Sequence, residues 1–286
     1  MSTVTIHTFG DAVAQRGGQD IAWPSGSARD LLFFLLSYPE GRSREQIVDA
    51  LWHDPLDSAS ANRFRVTLHR LRGVLGGLET VSERHGRYHL SGEVYGQSDV
   101  HTLYTLLDVA DHALQRGDKL LALKQATEVY RGDYLRGHPA EWAQQARGEH
   151  RAAYVRASVE LSMLHCDAMA CDMAVRSLAH ALRADPYLGE NYHQDLMSCL
   201  SRVEDRYAAV EHYRRFIGFL RDDLNDTPMP DTVALAERLK TGEIVCPHHI
   251  GSDQPCARQA LLGEVCAPLL TLLPMRADLL DGAPPR

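Results

Sequence analysis

Residues 57–77 read DSASANRFRVTLHRLRGVLGG, and the fold of the N-terminal part of the chain turns on them. Phe64, Leu68, Leu71 and Leu75 are spaced by four, three and four residues, which places them on one stripe of a helix. At about 100° per residue, the opposite face carries Ala59, Asn62, Val66, His69, Arg70 and Gly73, with Arg63 beside it. Arg65 and Arg72 lie on one flank and Thr67 on the other. The stretch holds four arginines and, after Asp57, no acid. An apolar back with a cationic, hydrogen-bonding front is what a helix needs to enter a DNA major groove. The same pattern also describes an ordinary amphipathic helix with a solvated basic face, so the neighbouring segments decide between the two.

Upstream, Val4, Ile6 and Thr8 alternate with Thr5, His7 and Phe9, a strand pattern. Arg16-Gly17-Gly18-Gln19 is a hairpin signal, so the chain is expected to open with a small antiparallel sheet. After the Pro24-Ser25-Gly26 break, Ser27 with Asp30 reads as a capping box and LLFFLLSY as a buried helix ended by Pro39-Glu40-Gly41. Ser43 with Gln46 reads as a second capping box, with Ile47, Ala50 and Leu51 as the next apolar face. His53-Asp54-Pro55 ends that helix, Asp57 or Ser58 caps the third, and Gly76-Gly77 stops it. Glu79–Arg84 and Tyr88–Val94 then read as two strands around His85-Gly86-Arg87. Three helices followed by a β-hairpin form a winged helix, with Arg84, His85 and Arg87 at the tip, placed to reach the sugar–phosphate backbone or a minor groove.

From Asp99 the periodicity is helical. Leu103, Leu106, Leu107, Ala110 and Leu114 form one face, and Leu120, Leu121, Leu123, Ala126 and Val129 the next. YRGDYLRGHPAEW is a turn-rich connector before a long helix from about Glu141 to Ala168. Ala174-Val175, Leu178 and Leu182 match Ala209-Val210, Tyr213 and Ile217 at an offset of 35 residues, close to the tetratricopeptide period. Asp185-Pro186 reads as a cap with proline at the first helical position. Such helix pairs bury their apolar faces only by stacking, so an α-solenoid is expected, suited to a peptide or helix partner or serving as a spacer. The expected fold is therefore mainly α: a winged helix-turn-helix with a small β-sheet and wing hairpin over 1–98, an α-solenoid of tetratricopeptide-like pairs over 99–242, and a tail of uncertain structure over 243–286.

Two stretches carry a resemblance. LLFFLLSYPEGRSREQIVDALW, ANRFRVTLHRLRGVLG and VSERHGRYHL resemble the OmpR-type winged helix of the Streptomyces antibiotic regulatory protein (SARP) family. Leu51-Trp52, Asn62, Leu71-Arg72 and Tyr88-His89-Leu90 fit its pattern, whereas Arg87 stands where a glycine is usual. Tyr130-Arg131-Gly132-Asp133-Tyr134-Leu135, Trp142, Arg147, Asp185-Pro186-Tyr187, Glu190, Leu196-Met197, Tyr213 and Leu220 resemble the bacterial transcriptional activator domain that follows it in that family. The resemblance implies a transcriptional activator that binds tandem direct repeats near a promoter as paired subunits and recruits RNA polymerase. It implies base-facing roles for Asn62, Arg63, Val66, Thr67 and Arg70; helical geometry leaves Thr67 on the flank and adds His69. Arg65, Arg72, Arg84, His85 and Arg87 are the expected phosphate and wing contacts.

Composition bounds the alternatives. The 286 residues carry a net charge of −8 with 44% hydrophobic residues. Residues 1–98 hold ten arginines, no lysine and eleven acids, a balance of −1, so DNA without a matching sequence should bind weakly. No run suits a membrane span and no secretory signal opens the chain, so a cytoplasmic location and reduced cysteines are expected. Phosphate-binding, dinucleotide and hydrolase motifs are missing, so neither an enzyme nor a cofactor is expected. The larger SARP regulators carry an added ATPase module, for which these residues leave no room. Cys246, His248, His249 and Cys256 are metal-type donors, but their spacing fits no closed four-ligand motif. The competing reading is a protein-interaction scaffold whose winged helix does not bind DNA.

Overall fold

The computed structural model describes residues 4–246. Its packing divides into two compact units, one up to Ala153 and one from Tyr154 on. The first opens with strands β1 (Val4–His7), β2 (Val13–Arg16) and β3 (Gln19–Asp20), an antiparallel meander in that order. Gly17 and Gly18, both at positive φ, make its two-residue turn.

Helices α1 (Gly26–Ser37), α2 (Arg44–Trp52) and α3 (Ser58–Leu75) come next. In α1, Leu31 to Leu36 are all buried, so it is the central helix against which the others pack. Its cap is Ser25, whose Oγ accepts from Ala28 N at 3.3 Å, two residues before the expected Ser27. Ser27 instead accepts a hydrogen bond from the Trp52 indole at 3.3 Å. The Ser43–Gln46 box on α2 forms as expected. Asp57 caps α3 by accepting from Ala59 N and Ser60 N, and Gly76, at φ 110°, ends it.

A short strand β4 (Arg42–Ser43), too brief to show in the residue pattern, joins the wing strands β5 (Val81–Arg84) and β6 (Arg87–Leu90) in a sheet ordered β4-β6-β5. Gly41 precedes it at φ 78°, where a side chain would collide with the His89 ring. The second wing strand ends at Leu90, earlier than expected, because Ser91 caps a single helical turn, α4 (Gly92–Tyr95).

Helices α5 (Asp99–His112) and α6 (Arg116–Val129) pair with each other and belong to this first unit. Asp99 receives hydrogen bonds from Thr8 N at 2.6 Å, Thr8 Oγ1 at 2.7 Å and Phe9 N at 2.9 Å. The connector closes the other side. Tyr134 is fully buried and its hydroxyl meets Ser37 Oγ at 2.8 Å, while Arg147 donates to the carbonyls of Tyr134, Leu135 and His138. Asp133 accepts two hydrogen bonds from Arg151 and one from Tyr130. These bonds give the YRGDYL run its physical content and pack it within the first unit, which ends inside helix α7 (Glu141–Asp167).

The second unit contains α8 (Cys171–Ala184), α9 (Glu190–Val203), α10 (Arg206–Asp223) and α11 (Pro230–Lys240). Packing runs α8 on α9, α9 on α10 and α10 on α11. Val175, Leu178 and Leu182 share one apolar cluster with Tyr213, the repeat partner of Leu178, and with Leu196, Met197 and Leu239, and Ile217, the repeat partner of Leu182, packs against it. The repeat thus equates α8 with α10. Asp185 caps the C-terminus of α8 and holds Tyr187 N at 3.0 Å; the next helix starts at Glu190, so Asp185-Pro186 is a turn and not a helix start. Glu190 accepts from Met229 N and Thr232 Oγ1 at the start of α11, where an anion offsets the helix dipole.

Three buried histidines carry a pH cost. Burial pushes His150 and His212 down to about 4, and burial with the neighbouring His212 pushes His193 down to about 3. His193 Nδ1 and His212 Nε2 are 3.1 Å apart, and the other ring nitrogens of the pair are buried with no hydrogen-bond partner among the described residues. Folding therefore favours neutral imidazole, which in the unfolded chain protonates near pH 6.5. Their contribution is complete above about pH 6.5 and is lost as pH falls toward 4. Urea unfolding of the wild type should give lower stability at pH 5 than at pH 7.5. A His193→Leu/His212→Leu variant should show a smaller difference between the two pH values; an identical difference would remove the pair from the account.

Candidate nucleic-acid interface

The apolar stripe of α3 is buried as its spacing requires: Phe64, Leu68, Leu71 and Leu75 all lie inside, with Phe64 meeting Tyr88 of β6 edge-on at 4.8 Å. That burial turns Asn62, Arg63, Arg65, Val66, His69 and Arg70 outward, and all six are exposed. Val66, 41% exposed, is a large apolar side chain left in solvent in the middle of this face. Arg70 has no ion-pair partner among the described residues, so its five N–H donors are available.

Arg63 is held. Its guanidinium lies over the Trp52 ring at 4.5 Å and meets Asp54 Oδ2 at 3.2 Å, yet the side chain stays half exposed. Arg65 reaches back to Ala61 O at 3.4 Å and remains exposed.

Two expected contacts are corrected. Thr67 is 4% exposed, on the packed flank of α3, so it has no access to a base. Arg72 is half-buried and donates to Val81 O through Nε at 3.1 Å and Nη2 at 2.6 Å. Its charge braces α3 against β5 instead of pointing at a phosphate. For Arg72 it is the start of β5, through the Val81 carbonyl, that takes up a flank helical spacing alone leaves open.

At the wing, His85 and Gly86 form the two-residue tip, both at positive φ, and Arg84 pairs directly opposite Arg87. Arg84, His85 and Arg87 are exposed. Arg87 is the first residue of β6, and its Nη1 donates to Gly41 O at 3.1 Å. The arginine at the usual glycine position thus leaves the tight turn intact. Arg42 donates to the same carbonyl at 3.1 Å and stacks on Tyr38 at 3.9 Å. Arg42, which also pairs with Glu40, and the exposed Arg44 at the start of α2 lie along the wing base. The residue pattern missed Arg42, because the pairing that brings it to β6 is only two residues long.

Of the metal-type donors in the tail, Cys246 is buried; His248, His249 and Cys256 lie outside the described residues. Among the described residues no group of three histidine, cysteine or carboxylate side chains is placed to hold a metal ion. Cys199 is a free thiol. Contact with Cys166, burial and the fields of the other thiols push the Cys199 thiol far up, so it stays protonated and packs as a small apolar group. No helix among the described residues is long and apolar enough to cross a membrane.

A winged helix followed by stacked helix pairs is the build of a transcriptional regulator, and comparison with known proteins gives its family. The pattern of the bacterial transcriptional activator domain matches residues 98–240, and the chain belongs to the SARP family of transcriptional activators that carry it. The chain is 30% identical over 242 residues to the regulatory protein AfsR of Streptomyces coelicolor and 26% identical over the same length to AfsR of Streptomyces griseus. Each match covers 81% of this chain and 24% of the relative, so the chain spans about a quarter of the length of these relatives. Among solved structures, Mycobacterium tuberculosis EmbR, in complex with a low-affinity phosphopeptide, shares the fold with a TM-score of 0.69 at 18% identity, over 86% of this chain and 67% of that one.

The Arg72 brace gives a direct test. Arg72→Ala should lower the stability of the isolated protein by about 1.5–3 kcal/mol, the range for a charged hydrogen bond, and leave the salt slope of DNA binding unchanged. A shallower salt slope without loss of stability would restore Arg72 as a phosphate contact.

Proposed function

We propose that this chain is a sequence-specific DNA-binding activator, which lays the outer face of α3 in a major groove and the wing on the adjacent backbone. The observation that carries this reading is the pairing on α3 of a buried apolar stripe with an exposed face of asparagine, arginine, histidine and one valine. Asn62, Arg63, His69 and Arg70 offer hydrogen bonds to base edges, and Val66 an apolar contact of the kind a thymine methyl group takes. Arg65, Arg84, His85 and Arg87 hold the backbone and set the register, helped by Arg42 and Arg44.

Binding to direct repeats is the expectation for the family. Two copies on one face of the duplex require sites about 10–11 bp apart, one helical turn. The helical domain then supplies contacts to the second copy or to RNA polymerase. With so few uncompensated cations, affinity depends strongly on matching bases.

Selection of bound duplexes from a random pool tests the reading. It should enrich a motif repeated at about one-turn spacing, and Arg70→Ala should weaken that site by about 1–3 kcal/mol while relaxing the preference at one base position. Equal losses on selected and scrambled duplex would remove Arg70 from base reading. Enrichment of no motif would instead favour a scaffold role for the winged helix.

A further inference from the structure

We propose that Trp52 and Asp54 are positioning residues for base recognition: they hold the Arg63 guanidinium in its reading pose before any duplex is present. The inference rests on the proposed DNA binding and assigns part of its specificity to the turn between α2 and α3.

The clamp is built from fixed parts. Trp52, the last residue of α2, supplies the ring 4.5 Å beneath the guanidinium, and its own indole N–H is tied to Ser27 Oγ at 3.3 Å. Asp54 meets Arg63 Nη1 from the side at 3.2 Å. The turn carrying Asp54 is itself pinned. His53 takes a left-handed φ of 55° with its N–H on Asp49 O at 2.8 Å, and Ser60 Oγ donates to Pro55 O at 2.8 Å. Both partners of Arg63 are therefore referenced to α1, α2 and the start of α3.

The physical consequence has two parts. A free arginine loses many rotamers when it docks on a base, and ordering it in advance removes that loss from binding. A guanidinium over an indole ring with one nitrogen engaged still presents further N–H donors, the fork that matches O6 and N7 of guanine. Asp54 also lowers the local positive charge, so it weakens the attraction of Arg63 for any phosphate while leaving directed hydrogen bonds to a base. Arg70, without an ion pair among the described residues, lacks this arrangement. The two thus form one pre-set and one adjustable arginine on the same face.

The test is a double-variant cycle on the full chain. Affinities for the selected operator and for scrambled duplex are measured for wild type, Trp52→Leu, Arg63→Ala and the double variant, with thermal unfolding of each as a control. Trp52→Leu should weaken the operator complex about 5- to 10-fold and scrambled duplex much less, and should add nothing in the Arg63→Ala background. Selection with Trp52→Leu should lose preference at the same base position that Arg63→Ala loses. Trp52→Phe, which keeps a ring face, should retain that preference, and covers the case in which Trp52→Leu does not fold. Asp54→Asn should tighten scrambled duplex, steepen its salt slope and lower the operator-to-scrambled ratio. An equal cost of Trp52→Leu with and without Arg63, or an unchanged ratio for Asp54→Asn, overturns the clamp while leaving the DNA binding intact. Enrichment of no motif by the wild type overturns both.

Discussion

Burial of one apolar stripe of α3 is the constraint on which the winged helix depends. Phe64, Leu68, Leu71 and Leu75 reach the interior only if the helix lies with that side against α1 and the wing strands. At roughly 25 cal/mol per Å² of apolar surface, four such side chains are worth several kcal/mol, more than any single surface contact contributes. A helix rotated enough to hide its arginines would expose the phenylalanine and leucines. The cationic face is thus turned outward by the core behind it, and the contacts of single side chains such as Arg63 act only within that orientation.

A second constraint joins the three helices of the winged domain to α5 and the connector. Asp99 satisfies three donors of Thr8 and Phe9, and Tyr134 sits fully buried with its hydroxyl on α1. Arg147 and Arg151 complete the connector by taking up carbonyls and the Asp133 carboxylate that a turn-rich segment would otherwise leave unsatisfied. The hydrogen-bonded motif therefore works as a structural joint within the first compact unit. Its polar residues serve packing, whereas the exposed basic side chains of the winged domain lie elsewhere, on α3 and the wing.

The arginines illustrate how one residue type divides its roles. Arg70 and Arg84 stand in solvent, Arg63 is clamped but half exposed, Arg87 and Arg42 share the Gly41 carbonyl, and Arg72 is spent on the Val81 carbonyl. Charge counting treats all of them as equal contributions to a basic surface. The directional bonds of each guanidinium separate those that brace the fold from those that remain available to a ligand.

The amino-acid sequence by itself determined the N-terminal hairpin, the three helices and hairpin of the winged helix, the helical run from α5 to α10, the caps of α2 and α3, the repeat that equates α8 with α10, and the outward set Asn62, Arg63, Val66, His69 and Arg70. These arise from periodicity and local hydrogen bonding, which act over a few residues. Only the tertiary structure decided that Thr67 is covered, that Arg72 turns inward and that a two-residue strand carries Arg42 to the wing. It alone placed Asp185 at a helix end. The reason is common to all: each depends on packing against neighbours that local spacing does not specify, and periodicity carries no information about which carbonyl, ring or strand will fill a given side of a helix.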